Sequence, residues 1–220
     1  MIIHKYGITL RRLTEEDIEL VRIMRNSDAI RSTMFYRELI SPQQQKQWFD
    51  SINNIYNYYF IIEFEGKKVG LISGKNINYT EQTAEGGIFI WEENLWSGFV
   101  PALASLCVID MAFNMLGCKK VNAEVHTANQ RSITYNKLLG FILESENKEQ
   151  QKQILVLSKE SYFKRADKIR QSVFHFSKDH SELSWNDIDL SEVPAAELKR
   201  LYTGFPDKLQ KRFDELIAKV

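Results

Sequence analysis

Residues 8–13 (ITLRRL) place apolar side chains at Ile8, Leu10 and Leu13 among polar ones, close to the two-residue repeat of a half-buried strand, so the chain is expected to open on a strand. Thr14 follows as an N-cap with Asp17 three residues on, a near capping box, which predicts a helix through about Arg25. Ser41-Pro42-Gln43 starts a second helix with Pro42 in its first turn, and Trp48, Phe49 and Ile52 lie on one side of it. Residues 58–65 and 68–76 read as strands joined across Glu65-Gly66-Lys67, a connection short enough to force an antiparallel hairpin. Residues 86–91 form a further strand. Residues 100–116 are almost wholly apolar, as a helix is when other elements cover it on all sides. Strands are expected at 119–127, 141–145 and 153–157, with a helix between the first two. The order strand, two helices, three strands, helix, strand, helix, two strands indicates an α/β (α+β) domain with a mixed central sheet and helices on both faces.

The character changes at Phe163. Residues 164–170 are a charged helical stretch, 177–189 are loop-like, and 197–220 carry Leu198, Leu201, Leu209, Phe213, Leu216 and Ile217 at helical spacing. That apolar content is too high for a solvated tail. The reading is a main domain over 1–162 and a helical C-terminal extension over 163–220, which packs on the main domain or on a second copy and so leaves a homodimer open.

With 44% hydrophobic residues in 220, a sizeable core can form. The 29 basic and 29 acidic side chains cancel, which argues against nonspecific binding to nucleic acid, where a basic field is needed to release counterions. The longest apolar stretch, around 100–113, is interrupted by Ser105 and Asp110 and is too short for a bilayer, and the N-terminus has no run of signal-peptide length, so no membrane partner is expected. Cys107 and Cys118 are the only cysteines, which fits a reducing, cytoplasmic setting with both thiols inert. His4, His126, His175 and His180 are scattered, so no metal site is expected.

The segment from Asn129 to Phe141 (NQRSITYNKLLGF) carries the chemistry. An Asn at the helix entry can bond backbone N–H groups, Ile133 and Leu138 can face a core, and Gly140 supplies the left-handed residue that stops the helix. Tyr135 then falls near the end of the preceding strand. The spacing Asn-x-x-Ser-x-x-Tyr followed by Gly-Phe resembles that of the GNAT acetyltransferases. The resemblance implies a sheet splayed between the strands at 86–91 and 119–127, with acetyl-coenzyme A lying in the opening as acyl donor. It implies that Asn129 and Ser132 contact the donor, that Tyr135 protonates the departing thiolate, and that a backbone N–H among Phe89, Ile90 and Trp91 stabilises the oxyanion. The family's phosphate grip, Arg/Gln-x-x-Gly-x-Gly/Ala, would fall on Ser97, Gly98, Phe99 and Val100. Neither alignment register restores its small residues, and Pro101 has no N–H to give.

Amide formation from a thioester also needs a base. Glu124 lies five residues before Asn129, where certain GNAT proteins that acetylate ribosomal protein N-termini place a Glu, and it shares one side of its strand with His126 by alternation. Glu85 is the fallback; the bland alternative is that these groups face solvent or pair with lysines. On the acceptor side, the run around Arg25, Arg31, Met34 and Trp48 resembles the branch that acetylates the 4-amino group of a nucleotide-activated sugar, in which apolar or aromatic side chains stack a base and arginines hold phosphate. The expected activity is therefore transfer of acetyl to a primary amine, most of all that of a nucleotide-linked amino-deoxysugar. A RimJ/RimL-like protein N-terminal acetyltransferase and a degenerate GNAT-fold binding protein stay open as alternatives.

Overall fold

The computed structural model describes residues 1–217; positions 218–220 of the expected terminal helix, and the side chains of Leu216 and Ile217, lie outside the described residues. The chain opens on a strand ahead of the expected one. β1 (Ile2–Lys5) turns back into β2 (Ile8–Arg12) across Tyr6 and Gly7, both at positive φ, 56° and 80°. That is the conformation a two-residue hairpin requires, and a Tyr at its first position hides the signal. The capping box of Thr14 and Asp17 forms, but over a 3₁₀ turn that leads into α1 (Ile18–Asn26). A single turn, α2 (Asp28–Arg31), and α3 (Pro42–Ile52) follow, the last with Ser41 as N-cap accepting from the Gln44 amide.

β3 (Tyr58–Phe64), β4 (Lys67–Asn78) and β5 (Thr83–Ile90) form an antiparallel meander. α4 (Val100–Asp110) is buried at every position except Ala102, and it is prolonged by one π turn over Met111–Met115 that exposes Asn114. β6 (Lys120–His126), α5 (Gln130–Leu139), β7 (Ile142–Asn147) and β8 (Lys152–Ser158) complete the expected series. Gly140 caps α5 at φ 101°, in the left-handed region. Leu138 does not face the core. It is 63% exposed and Leu139 is buried instead, because five residues past Ile133 the helix has turned about 140°.

Among the described residues the sheet has nine strands in the order β7-β8-β6-β5-β4-β3-β2-β1-β9, the last being Ile188–Asp189, antiparallel throughout except where β5 meets β6. α4 covers one face, packing Leu103, Leu106 and Cys107 on Leu10, Phe60 and Ile72. α1 and α3 cover the other, where Val21 and Phe49 meet Leu13, Ile61 and Leu71. Helices thus lie on both faces, as the alternation of elements requires.

α6 (Lys159–Ser177) runs without a break through the 162/163 border. Its buried Tyr162, Ala166 and Val173 belong to the same core as α4. The stretch read as loop-like contributes β9 (Ile188–Asp189), which pairs with β1 and extends the sheet. α7 (Ala195–Gly204) and α8 (Asp207–Ile217) close a smaller cluster of Ile55, Leu190, Val193, Leu201 and Phe213.

Candidate active site

β5 and β6 pair in parallel only from Thr83↔Lys120 to Glu85↔Asn122. Beyond that point residues 86–90 keep their ladder with β4, residues 123–126 keep theirs with β8, and the two strands part. The opening is a cavity of about 490 Å³ floored by both strands and flanked by α4 and α5, with α1 and the chain after it at its mouth.

Ladder geometry determines which backbone groups enter the gap. Trp91 N–H donates to Val69 C=O (3.0 Å), so it points into the sheet, as Phe89 N–H does by alternation; of the three candidates for the oxyanion donor only Ile90 turns its N–H toward β6. The Ile90 carbonyl faces the same way and accepts a hydrogen bond from the Trp96 indole (2.8 Å). Phe89 and Ile90 line the cavity, whereas the Trp91 indole donates to the Lys68 carbonyl. An extended, amide-bearing arm such as that of coenzyme A fits an edge of this kind, because unpaired strand groups remain to be satisfied.

α5 brings its motif to the opening. The Asn129 carboxamide caps the helix by accepting from the Ser132 N–H (3.0 Å), and both residues line the cavity. Tyr135 projects toward the first turn of α4, where its hydroxyl donates to the Pro101 carbonyl (2.8 Å) and lies 2.6 Å from the Ser105 hydroxyl. Burial pushes the phenol pKa up, and the Ser105 bond offsets part of that, so Tyr135 keeps its proton at neutral pH. Ser105 was not among the residues expected to act here. Its one signal in the sequence is a hydroxyl inside an otherwise apolar helix, since a buried polar group needs a partner.

The turn before α4 behaves differently. Ser97 and Gly98 are exposed, Phe99 packs edge-on to Phe64, Val100 is in the core, and none of the four lines the cavity. α4 starts with no side-chain cap.

On the face carrying Glu85, the in-register pairing with Asn122 places Glu124 and His126 by the same alternation. Both carboxylates line the cavity and both are ion-paired, Glu85 with Lys75 and Glu124 with Lys152 (3.2 Å). His126 accepts the Ala128 N–H at Nδ1 (3.1 Å), its Nε2 lies 3.4 Å from the Arg37 guanidinium, and its ring is tilted against Phe35 with centroids 5.6 Å apart. Glu124 and His126 are therefore neighbours engaged with different partners.

Arg25 and Met34 reach the cavity. Arg25 donates to the Tyr36 carbonyl (2.7 Å), while its Nη1 is buried without a hydrogen-bond partner. Burial, and after it the neighbouring Arg31, lowers the Arg25 pKa, and among the described residues no carboxylate lies within ion-pair distance of it. Arg31 is held by Asp28 (2.5 Å) and the Arg37 carbonyl (3.0 Å) and stands back from the cavity. Trp48 also stands outside it, packed edge-on to Tyr59 at 5.1 Å, where it joins α3 to the sheet.

Comparison with known proteins agrees with this geometry. A sequence profile described as an acetyltransferase (GNAT) domain matches residues 8–142. The chain is 27% identical over 142 residues to a spermidine N(1)-acetyltransferase of Escherichia coli, covering 64% of this chain and 76% of that one. It is 26% identical to the Vibrio cholerae protein of the same name over 146 residues, 62% and 80% of the two chains. Among solved structures, the spermidine N-acetyltransferase of Vibrio cholerae in complex with CoA and spermine superposes with a TM-score of 0.63 at 22% identity, covering 71% of this chain and 98% of that one. A domain from Methanocaldococcus jannaschii superposes with a TM-score of 0.62 at 24% identity, covering 69% and 97%. With a profile match over more than half its length, the chain belongs to the GNAT acetyltransferase family and is an acyl-CoA-dependent N-acetyltransferase.

Proposed function

We propose that this enzyme acetylates a primary amine carried by an anionic molecule, a nucleotide-linked amino-deoxysugar, with Tyr135 as general acid and Glu124 as base. Acetyl-coenzyme A supplies the acyl group as a reactive thioester. Tyr135 holds a proton at its hydroxyl beside Ser105 and Pro101, where burial keeps it in place until a strong base forms nearby. The Ile90 N–H faces the gap, where a developing oxyanion would need a donor. Glu124 stands on the opposite rim to receive the proton of the amine.

The observation that carries the acceptor class is Arg25. A buried guanidinium nitrogen without a partner costs free energy unless the ligand satisfies it, and phosphate is the group that does so best. Met34 and the exposed Phe35 beside it offer apolar surface for a base. A polyamine is the second reading, favoured by the names of the Escherichia coli and Vibrio cholerae relatives. It fits this cleft less well, because both cavity carboxylates are already neutralised by lysines.

The test is thiol release from acetyl-coenzyme A with UDP- or dTDP-linked amino sugars, spermidine and a peptide N-terminus in parallel. The nucleotide sugars are expected to turn over, with Arg25→Gln raising their KM about tenfold, the equivalent of ~1.4 kcal/mol. Efficient turnover of spermidine that is indifferent to Arg25→Gln would replace this reading with the polyamine one.

A further inference from the structure

The turn before α4 cannot present a row of small residues to a phosphate. Phe99 and Val100 turn into the protein and Pro101 carries no N–H. Across the opening from that turn stands Arg131, in the first turn of α5. A cation there opposes the helix macrodipole, and no acidic residue shares the turn to compensate. Arg131 is exposed, and among the described residues its guanidinium makes no hydrogen bond or ion pair; its central carbon lies over the Trp96 ring, 4.1 Å from the centroid. Trp96 is itself anchored, since its indole donates to the Ile90 carbonyl. Both side chains line the cavity.

We infer that Arg131, held over Trp96, is the phosphate clamp of the acyl-CoA site and takes over recognition that the turn before α4 has given up. The inference rests on the acyl-CoA donor stated above. Stacking uses only the face of the guanidinium and leaves its N–H edges in plane and free for a bidentate bond to a phosphate. The ring restricts the arginine before any ligand arrives, so less side-chain entropy is lost on binding. The anion is a phosphate of the coenzyme A nucleotide, either the diphosphate or the 3′-phosphate, and the ligands of the test separate these sources.

Calorimetric titration of wild type and Arg131→Gln with coenzyme A, dephospho-coenzyme A and S-acetylpantetheine reads binding without turnover. Arg131→Gln is expected to raise the Kd for coenzyme A about tenfold and to leave that for S-acetylpantetheine unchanged. A penalty that persists with dephospho-coenzyme A assigns the clamp to the diphosphate, and one that disappears assigns it to the 3′-phosphate. Trp96→Leu is expected to reproduce part of the loss. An unchanged Kd for coenzyme A in Arg131→Gln, or an equal loss with S-acetylpantetheine, would overturn the clamp. Wild type failing to bind coenzyme A at all would instead overturn the donor assignment. Because Arg131 is exposed, the variant should keep the wild-type urea midpoint, so a folding defect would not mimic the result.

Discussion

Replacing Arg170 by Met would test how the C-terminal helices are bound to the catalytic core. Asp110 ends the apolar helix α4 with no exposed surface, and Arg170 on α6 is 1% exposed. One guanidinium nitrogen reaches both carboxylate oxygens, at 2.6 and 2.8 Å, while the Tyr162 hydroxyl (2.7 Å) and the Leu183 N–H (2.9 Å) donate to the same carboxylate. Burial pushes the Asp110 pKa up, and the Arg170 charge with the four donated bonds opposes that rise. Burial alone would lower the Arg170 pKa, but the Asp110 charge outweighs it and raises it. Arg170→Met removes the countercharge and leaves a carboxylate in a site that water does not reach, a change that costs about 3–5 kcal/mol. The Tyr6 hydroxyl loses its Arg170 donor as well (3.1 Å). For a chain of this size the loss corresponds to a fall in Tm of roughly 6–20 °C. Urea unfolding followed by circular dichroism and tryptophan fluorescence would measure it, with Arg170→Lys expected to lose less because the charge survives. The double variant Asp110→Leu/Arg170→Met should recover much of the deficit, since removing both partners leaves no orphan charge. A single-variant loss below about 1 kcal/mol would refute the reasoning and show that the tail does not depend on this pair.

Two other outcomes follow from the site and from the sheet. Tyr135→Phe should lower kcat by about two orders of magnitude, the lower end of general-acid contributions. Ser105→Ala should lower it about fivefold, and it should add nothing in the Tyr135→Phe background; additive effects in steady-state kinetics would separate Ser105 from the phenol. Asp17 is 1% exposed, and although burial pushes its pKa up, the Arg11 fork (2.8 Å to each oxygen), Lys68 and Thr14 hold it below the ordinary carboxylate value of 3.8. Its folded pKa is the lower one, so its stabilisation is complete above that ordinary value and is lost as pH falls further toward the folded one. Asp17→Asn should flatten this acid limb of stability, measured by urea midpoints between pH 5 and pH 2, and an unchanged slope would mean that other carboxylates set it.

Local signals account for much of the fold. The Ser41 cap, the Gly66 hairpin, the almost wholly apolar α4 and the Gly140 stop each express a short-range rule, and each appears where its residues stand. The failures are equally physical. β1 carries no local signal because a Tyr-Gly turn at positive φ lacks the usual Asn-Gly signature, and β9 carries none because a two-residue strand exists only by virtue of its neighbour β1. Leu138 is exposed against expectation because the buried face of α5 depends on which side β6 and α6 approach.

At the cleft, the identity and spacing of Asn129, Ser132 and Tyr135 were written in one contiguous segment, because a single helix and its cap position all three. The groups that come from separate elements were not. Ser105 meets Tyr135, Arg131 meets Trp96, and Glu124 meets Lys152 across elements whose approach depends on sheet order and helix packing. Trp48 and Arg25 looked alike as acceptor residues in the chain; packing put one against the sheet and the other into the cavity. Helices, turns and the Asn129–Tyr135 segment obey interactions within a few residues and are legible from the chain, whereas pairings across dozens of residues arise only when the core has folded and brought the faces together.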